Sequence, residues 1–410
     1  MKCIRAVLFI AVVLLVSCHK DDGEDVPQTA ERTVFVYLAG HNSLGVDGSI
    51  YGDSLEIADG AISLDKSGKN RLVVLIDRVG PPNLYEVLPG KGFCLLKHYP
   101  HAMNTADGGD FRTILNDVAA LVPSKEYSLV MGSHATGWLP PVKNATLSFG
   151  IDVGEGGSMG GNTKADGTYG DEMDIPSIAW AIETGAMKHV RYIFFDACLM
   201  QSLETAYELR HVTDYVVASP IAVAAEGANY TRQINKGLFN DDVTQIAKTY
   251  VEDYMYEFWG TVFSVIKTDA LEDLANFTRD VMPASFWDNS DMKGVLDYGY
   301  YNKVTFYRPH CYDAAAAMRQ LLGDETLYAQ WREKLDKAVV YRGFTTKFYV
   351  EDETFYGGHY VTPDPELNCG VSMFVPLTVY TVNAGKATCY GDHNDNYKKT
   401  AWSQAITHNP

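Results

Sequence analysis

The sequence predicts an α/β protein with a mostly parallel β-sheet and helices on both faces. The 410 residues are 46% hydrophobic and 21% charged, which is the composition of a globular chain and not of a disordered one. Apolar runs of strand length recur along the chain, and segments with helical spacing separate them. Such alternation is typical of a parallel sheet that is covered on both faces. Ligands then bind at the carboxyl ends of the strands.

Five strands are predicted in the first part of the chain, at residues 33–39, 71–77, 127–132, 191–196 and 214–218. Helices are predicted between them, and one should begin at Asp174, with Asp as N-cap and Pro176 in the first turn. We therefore expect one α/β domain over residues 31–238.

Residues 239–410 have a more helical pattern, with helices expected at 243–258, 270–281 and 312–321. A later apolar run, residues 370–376, is expected to return as a strand to the edge of the sheet.

The first 17 residues predict a secretory leader. Basic residues precede an apolar run from Ala6 to Val16, which is too short to span a bilayer as a helix but has the length of a signal-peptide core. Ser17 directly before Cys18 resembles a bacterial lipobox, in which residues 1–17 are removed and Cys18 is lipidated. An ordinary signal peptide that contains a cysteine is the alternative.

Residues 18–30 predict an acidic, polar tether. Its Lys20-Asp21-Asp22 resembles the sorting signal of some surface-exposed lipoproteins. We therefore expect an exported protein that is lipid-anchored to the bacterial outer membrane, and the sequence leaves both the cell surface and the periplasmic face open. With 34 basic and 52 acidic side chains the formal charge is −18, which argues against nucleic acid as a partner.

Two residues with catalytic chemistry follow predicted strands. His134 follows the strand at 127–132, and Cys198 follows the strand at 191–196, so both should lie at the same edge of the sheet. A thiol becomes a good nucleophile beside an imidazole, and a helix beginning at Cys198 would also favour the thiolate. A lone cysteine is more often a buried small side chain, but the paired positions favour catalysis.

The sequence from Ser133 to Trp138 and the sequence from Asp196 to Met200 resemble the two motifs of the clostripain-like cysteine peptidases. The likeness extends in order over about residues 34–230, and residues 370–376 are similar to the closing strand of that family. The resemblance implies a caspase-like fold and an endopeptidase that acts on protein or peptide substrates.

The same resemblance implies a catalytic dyad. Cys198 would attack the scissile carbonyl, and His134 would protonate the leaving amine. The backbone N–H groups of Cys198 and Ala135 would hold the oxyanion. The family usually has glycine at the position of Ala135, so a positive φ there would strain the oxyanion hole.

The resemblance also implies cleavage after arginine or lysine. Asp196 and Glu226 match the positions of the two acids that receive a basic P1 side chain in related enzymes. A strand-end acid and a solvated loop residue are the respective alternatives.

Self-processing is a further implication of the resemblance. Residues 139–174 contain eight glycines and two basic residues, Lys143 and Lys164, which are the candidates for self-cleavage. No cofactor is required and no metal site is predicted; some relatives use calcium, and the sequence locates no site for it.

A non-enzymatic alternative is a surface-anchored binding or adhesion module that keeps the fold without turnover. Ala135 favours this alternative, whereas the presence of both His134 and Cys198 favours the peptidase.

Overall fold

The computed structural model describes residues 29–139, 148–288, 292–299, 311–351, 358–378 and 393–407. The predicted leader, Cys18, nearly all of the tether and Lys143 lie outside the described residues. No helix in the described parts of the chain is both long enough and apolar enough to cross a bilayer.

The described strands, in chain order, are β1 (Ala30–Ala39), β2 (Asn70–Asp77), β3 (Asn83–Leu88), β4 (Gly92–His98), β5 (Ser124–Gly132), β6 (Phe149–Asp152), β7 (Asp171–Met173), β8 (Val190–Asp196), β9 (Thr213–Ala218), β10 (Val262–Lys267), β11 (Tyr312–Asp313), β12 (Val339–Phe344), β13 (Phe348–Glu351), β14 (Gly358–Val361) and β15 (Ser372–Met373).

The described α-helices are α1 (Ser43–Asp47), α2 (Ser49–Gly60), α3 (Gly108–Leu121), α4 (Ile175–Thr184), α5 (Leu203–Leu209), α6 (Tyr230–Arg232), α7 (Thr244–Asp253), α8 (Leu271–Val281), α9 (Ala314–Leu322), α10 (Glu325–Ala338), α11 (His393–Tyr397) and α12 (Ala401–Ile406). A π-turn, Gln233–Gly237, continues α6.

Nine of these strands form one sheet in the order β12-β10-β9-β8-β5-β1-β2-β3-β4. The five strands from β9 to β2 run parallel, as the apolar runs predicted. The antiparallel strands β3 and β4 close one edge, and β10 and β12 close the other. The predicted α/β fold with a mostly parallel sheet is therefore confirmed.

The sheet separates two hydrophobic cores, as the alternation along β1 illustrates. Phe35 and Tyr37 point into the core that contains residues of α3, α4 and α5. Val34 and Val36 point into the core that contains residues of α2 and α7. Because successive side chains of a strand face opposite sides, an unbroken apolar run fits a strand buried on both faces.

The region after residue 238 contributes more to the sheet than its helical pattern suggested. β10 and β12 are strands of the central sheet, although both lie in the part expected to be helical. A short buried strand has no period that distinguishes it from a helix segment, which is why the sequence pattern missed them. The predicted helix at 243–258 ends earlier, at Asp253.

The strand expected at residues 370–376 is present but does not join the central sheet. β15 pairs with β11 in a separate two-stranded sheet. The Ser372 N–H also donates to the carbonyl oxygen of Gln201, at 2.9 Å. The late strand therefore supports the segment that follows Cys198 instead of closing the sheet edge.

Candidate active site

The register of the parallel strands brings the His and Cys segments to the same level. β5 and β8 are neighbours, and Gly132 at the end of β5 pairs with Asp196 at the end of β8. His134 and Cys198 each follow their paired residue by two positions, and neighbouring strands lie about 4.8 Å apart. Both residues therefore lie beyond the carboxyl ends of adjacent strands, as the sequence predicted.

The turn that follows β5 and the turn that follows β8 are in close contact with each other. Leu199, directly after Cys198, has a φ of 62°, in the left-handed region that a leucine rarely adopts. Gly137 has a φ of 87°, and a Cβ there would lie 2.8 Å from the Leu199 carbonyl oxygen. Residues held in such conformations concentrate at functional sites, because the surrounding structure must maintain them.

Cys198 does not lie at a helix N-terminus, contrary to the expectation. It lies in a turn, and α5 begins only at Leu203, where the Ser202 side chain caps it. The Val223 N–H instead donates to the Cys198 sulfur at 3.3 Å, from the segment after β9. The Cys198 sulfur also lies 3.8 Å from the Val223 carbonyl oxygen as a donor, so the Val223 backbone fixes the position of the thiol.

His134 is held by a serine that the sequence did not single out. The Ser43 Oγ lies 2.8 Å from Nε2 of His134, and the backbone N–H of Ser43 donates to the Asn162 side chain at 2.8 Å. Burial lowers the pKa of His134, so the imidazole is neutral near pH 7. The Nε2 atom of His134 is therefore engaged by the Ser43 hydroxyl.

Ala135 does not adopt the positive φ that would have strained it. Its neighbours pair with the segment at β6: Thr136 N–H donates to the carbonyl of Ser148, and Gly150 N–H donates to the carbonyl of His134. The Ala135 N–H is not part of this pairing. Alanine is therefore compatible with the backbone at this position.

A cavity of about 370 Å³ joins these residues. Its lining brings together four of the predicted site residues, His134, Ala135, Asp196 and Cys198. Residues of the segment after β9, of the loop before α4, and of α1, α2 and β13 also line the cavity. One cavity thus contains a thiol, an imidazole and a carboxylate.

Asp196 is buried in the cavity wall and accepts three hydrogen bonds. The donors are the Ala228 N–H at 2.9 Å, the Tyr230 hydroxyl at 3.1 Å and the Tyr250 hydroxyl at 3.4 Å. Burial raises the pKa of Asp196 to about 6, although these donors act in the opposite direction. The carboxylate is therefore fixed in place and ionised near neutral pH.

Asp53 is a second carboxyl group of the cavity, and the sequence analysis did not identify it. It lies on α2 and lines the same cavity as Asp196. Burial, followed by the charges of Asp196 and Glu56, raises the pKa of Asp53 to about 9. No described residue donates a hydrogen bond to it. An acid on a helix far from either motif carries no sequence signal of this role.

Glu226, the other predicted acid, is exposed to solvent. Its neighbours Ala225 and Gly227 line the cavity, but the Glu226 side chain does not. The structure therefore brings Asp53, and not Glu226, into the cavity with Asp196.

The described part of the Gly-rich segment before α4, residues 148–174, contains regular hydrogen-bonded structure. β6 and β7 pair with each other in residues 148–174. Lys164 lies in a tight turn, in which its N–H donates to the Thr168 carbonyl and its carbonyl accepts from Gly167 N–H. Its ammonium group forms an ion pair with Asp171. Lys143, the other candidate for self-cleavage, lies outside the described residues.

Within the described residues, one group could hold a metal ion. The ligand atoms of His41, Asp77 and Asp152 all lie within 4.8 Å of one another. His41 Nδ1 is already hydrogen-bonded to Asp152 at 2.8 Å, and Thr105 N–H donates to the same carboxylate. Calcium prefers six to eight oxygen ligands, so this set, with its imidazole, does not fit calcium.

Comparison with known proteins places the chain among cysteine peptidases. A sequence model of the clostripain family matches residues 36–407. No curated protein sequence matches the chain.

Three solved structures are similar over most of the chain. A secreted C11 cysteine protease from Bacteroides thetaiotaomicron, bound to an irreversible peptide inhibitor, is 26% identical with a TM-score of 0.74, covering 92% of this chain and 99% of that one. An inactive zymogen C11 protease from Parabacteroides distasonis is 25% identical with a TM-score of 0.73, covering 94% and 100%. A second secreted C11 protease structure from B. thetaiotaomicron, at 23% identity, has a TM-score of 0.72 and covers 93% and 100%, which shows the shared fold.

Proposed function

The chain belongs to the clostripain family and is a cysteine peptidase that acts on proteins or peptides. From this premise we propose that it is an endopeptidase that cleaves after arginine or lysine. Cys198 and His134 are its proposed catalytic residues. The observation that carries the proposal is the cavity at the ends of β5 and β8. It combines these two side chains with the buried carboxylate of Asp196.

In the proposed mechanism, the neutral imidazole of His134 accepts the thiol proton as the Cys198 sulfur attacks the scissile carbonyl. The N–H groups of Ala135 and Cys198 hold the developing oxyanion. The tetrahedral intermediate collapses, His134 gives the proton to the leaving amine, and a thioester remains. Water, deprotonated by His134, then hydrolyses the thioester and releases the new carboxyl terminus. No step requires a cofactor.

Ser43 is a positioning residue in this proposal. Its hydroxyl occupies Nε2 of His134, which favours a ring orientation with Nδ1 directed at the reacting atoms. Because Asn162 in turn holds the Ser43 backbone, the loop before α4 helps to orient the imidazole.

Substrate preference follows from the acidic end of the cavity. A guanidinium or ammonium group would pair with the Asp196 carboxylate, which is fixed by three hydrogen-bond donors. Asp53 adds a second carboxyl group, which a pKa of about 9 keeps protonated near pH 7; a basic side chain beside it would favour its ionised form. Glu226 lies outside this pocket, and its role in binding substrate stays a prediction.

We also propose that the enzyme is made as a precursor and cuts itself before full activity. A similar structure is that of an inactive zymogen, and the Gly-rich segment of this chain lines the cavity through Asn162, Tyr169 and Glu172. A segment so placed could limit access to Cys198 until it is cut.

For localisation, we propose export and lipid anchoring through Cys18, with residues 18–30 as a tether. A similar structure is that of a secreted C11 cysteine protease, and the apolar run before Cys18 has the length of a signal-peptide core.

An activity-based probe tests the proposed function. An irreversible peptide inhibitor with arginine at P1 should label the wild-type protein on Cys198, and peptide mapping should identify that residue. Cys198→Ala should remain unlabelled. A matched probe with leucine at P1 should label far more slowly, and equal labelling by both probes would contradict the basic specificity.

A further inference from the structure

An exposed group of aromatic side chains lies beside the candidate active site. Phe258 and Trp259, in the loop between α7 and β10, are 64% and 44% exposed. Their neighbour Tyr256 is 97% exposed. Single exposed aromatic residues are common, but several on one short loop mark an interaction surface.

Phe258, Trp259, Tyr349 and Tyr360 form what we call the aromatic platform. Tyr349 lies on β13 and Tyr360 on β14, so two separate parts of the chain contribute the four rings. The centroid distances are 5.2 Å for Phe258–Trp259, 5.1 Å for Trp259–Tyr349, 5.6 Å for Phe258–Tyr360 and 5.4 Å for Tyr349–Tyr360. Most of these pairs meet edge to face, which is a favourable arrangement.

The aromatic platform is held rigidly. The Tyr349 N–H donates to the Trp259 carbonyl at 2.8 Å, and the Tyr360 hydroxyl donates to the Phe258 carbonyl at 3.0 Å. Gly260 has a φ of 59° and approaches the Lys347 carbonyl so closely that a Cβ would lie 2.1 Å from it. A surface fixed in this way loses little conformational entropy when a ligand binds.

The aromatic platform is continuous with the cavity of Cys198. Tyr349 belongs to both, because it lines the cavity and contacts the rings of Phe258 and Trp259. Val350 also lines the cavity and shares a small hydrophobic cluster with Leu199, directly after Cys198. A chain that leaves the cavity along β13 therefore passes over the platform.

We propose that the aromatic platform is a second substrate-binding site, which receives an aromatic or large aliphatic side chain of the substrate outside P1. This proposal rests on the proposed peptidase function. An extended peptide advances about 3.3 Å per residue, so residues near the scissile bond reach beyond the cavity. The acidic groups of the cavity would bind a basic P1 side chain, and the rings of the aromatic platform would bind an apolar side chain elsewhere in the same peptide.

The remaining exposed tryptophan among the described residues provides a matched control. Trp180 on α4 is 44% exposed, as Trp259 is, but its ring contacts the Arg112 guanidinium and does not line the cavity. Trp180→Ala therefore removes an equally exposed ring that is part of neither the cavity lining nor the aromatic platform.

The experiment uses peptides with arginine at P1 and either phenylalanine or serine at each other position in turn. Wild-type kcat/KM should favour phenylalanine by about 10-fold or more at one position, since burying such a ring is worth that much. This ratio should fall towards 1 in the double variant Phe258→Ala/Trp259→Ala. It should also fall in Tyr360→Ala, which removes the ring that β14 contributes to the aromatic platform. Trp180→Ala should keep the ratio. Thermal unfolding shows which variants are folded.

Binding of the same peptides to Cys198→Ala gives the ratio without turnover, so the aromatic platform is tested even if no peptide is cut. Wild-type cleavage after arginine with no apolar preference at any position would overturn the platform and leave the proposed function intact. If the platform variants instead lost binding to phosphatidylglycerol vesicles while keeping the peptide ratio, the surface would contact membrane, and the proposal would be wrong.

Discussion

The residues of the proposed dyad lead to the first prediction. His134→Ala should lower kcat by about 10²- to 10⁴-fold, because it removes general acid–base help. Ser43→Ala should lower kcat by a smaller factor, about 10-fold, and raise KM little, because it frees the imidazole ring without removing it. Steady-state kinetics with a basic-P1 peptide measures both.

The pH profile of kcat tests the positioning role of Ser43 on the His134 imidazole. Burial lowers the pKa of His134, so the neutral imidazole is lost only as the pH falls below its ordinary value of 6.5. Ser43→Ala should move this acid limb, whereas Ser54→Ala, at a half-buried serine on α2 that does not line the cavity, should not. An unchanged limb and unchanged kcat in Ser43→Ala would contradict the positioning role.

Asp196 and Asp53 lead to the second prediction. Asp196→Asn should reduce kcat/KM for arginine at P1 by about 10- to 100-fold relative to citrulline, its uncharged analogue, because a charged hydrogen bond is lost. Asp53→Asn should reduce the same preference by a smaller factor. Asp59→Asn, an exposed acid on the same helix, should leave it unchanged.

Protonation of the Asp196 carboxylate should lower the ratio of kcat/KM for arginine to that for citrulline. The pKa of Asp196 is raised to about 6, so its charge is present at pH 7 and is lost as the pH falls through 6. The arginine-to-citrulline ratio should therefore fall below about pH 6, and this fall should be absent in Asp196→Asn. A ratio that is constant from pH 5 to 8 in the wild type would exclude Asp196 from P1 binding.

At the scale of elements, the Gly-rich segment before α4 leads to the third prediction. Lys164 is held in a tight turn and paired with Asp171, whereas a protease cuts an extended, accessible chain. We therefore expect self-cleavage at Lys143. Lys143→Ala should run as one chain under denaturing conditions, and Lys164→Ala should still yield two fragments. Fragments from Cys198→Ala would show that another protease makes the cut.

The edge strands show why element prediction was incomplete. β5 and β8 are long apolar runs that end at the motifs, and the sequence located both. β10 is equally apolar, but helical patterns surround it, and its place beside β9 depends on a pairing across 50 residues. β15 pairs with β11 for the same reason: strand partners are set by packing and not by local sequence.

At the scale of the whole molecule, the sheet leads to the fourth prediction. The predicted domain 31–238 ends before β10, which covers the edge of β9, and before β12, which pairs with β10. Trp331 and Trp402, both fully buried, also belong to the core that contains residues of α3, α4 and α5. The fragment 31–238 should therefore lack a cooperative thermal transition in near-UV circular dichroism, whereas residues 31–410 should show one. A cooperative, folded fragment would establish 31–238 as an independent domain.

The N-terminus leads to the fifth prediction. Cys18→Ala should release the protein from the membrane fraction, because the lipid on Cys18 would be its anchor. Cys3→Ala, a cysteine within the predicted leader, should leave the protein membrane-bound. Fractionation after a high-salt wash measures both, and a Cys18→Ala protein that still sediments with membranes would contradict the lipobox.

The sequence by itself determined the α/β class, the strands that carry His134 and Cys198, and the family. These features are local: an apolar run of strand length, and a short motif at its end, can be read without knowing what the rest of the chain does. The acid before the nucleophile, Asp196, belongs to the same motif and was found for that reason.

Tertiary structure alone decided which other groups complete the site. Ser43 and Asp53 come from the first helices after β1, and only packing brings them to His134 and Asp196. It also moved Glu226 out of the cavity and showed that Ala135 is unstrained. Each depends on contacts between residues distant in sequence, and a linear pattern carries no information about such distances.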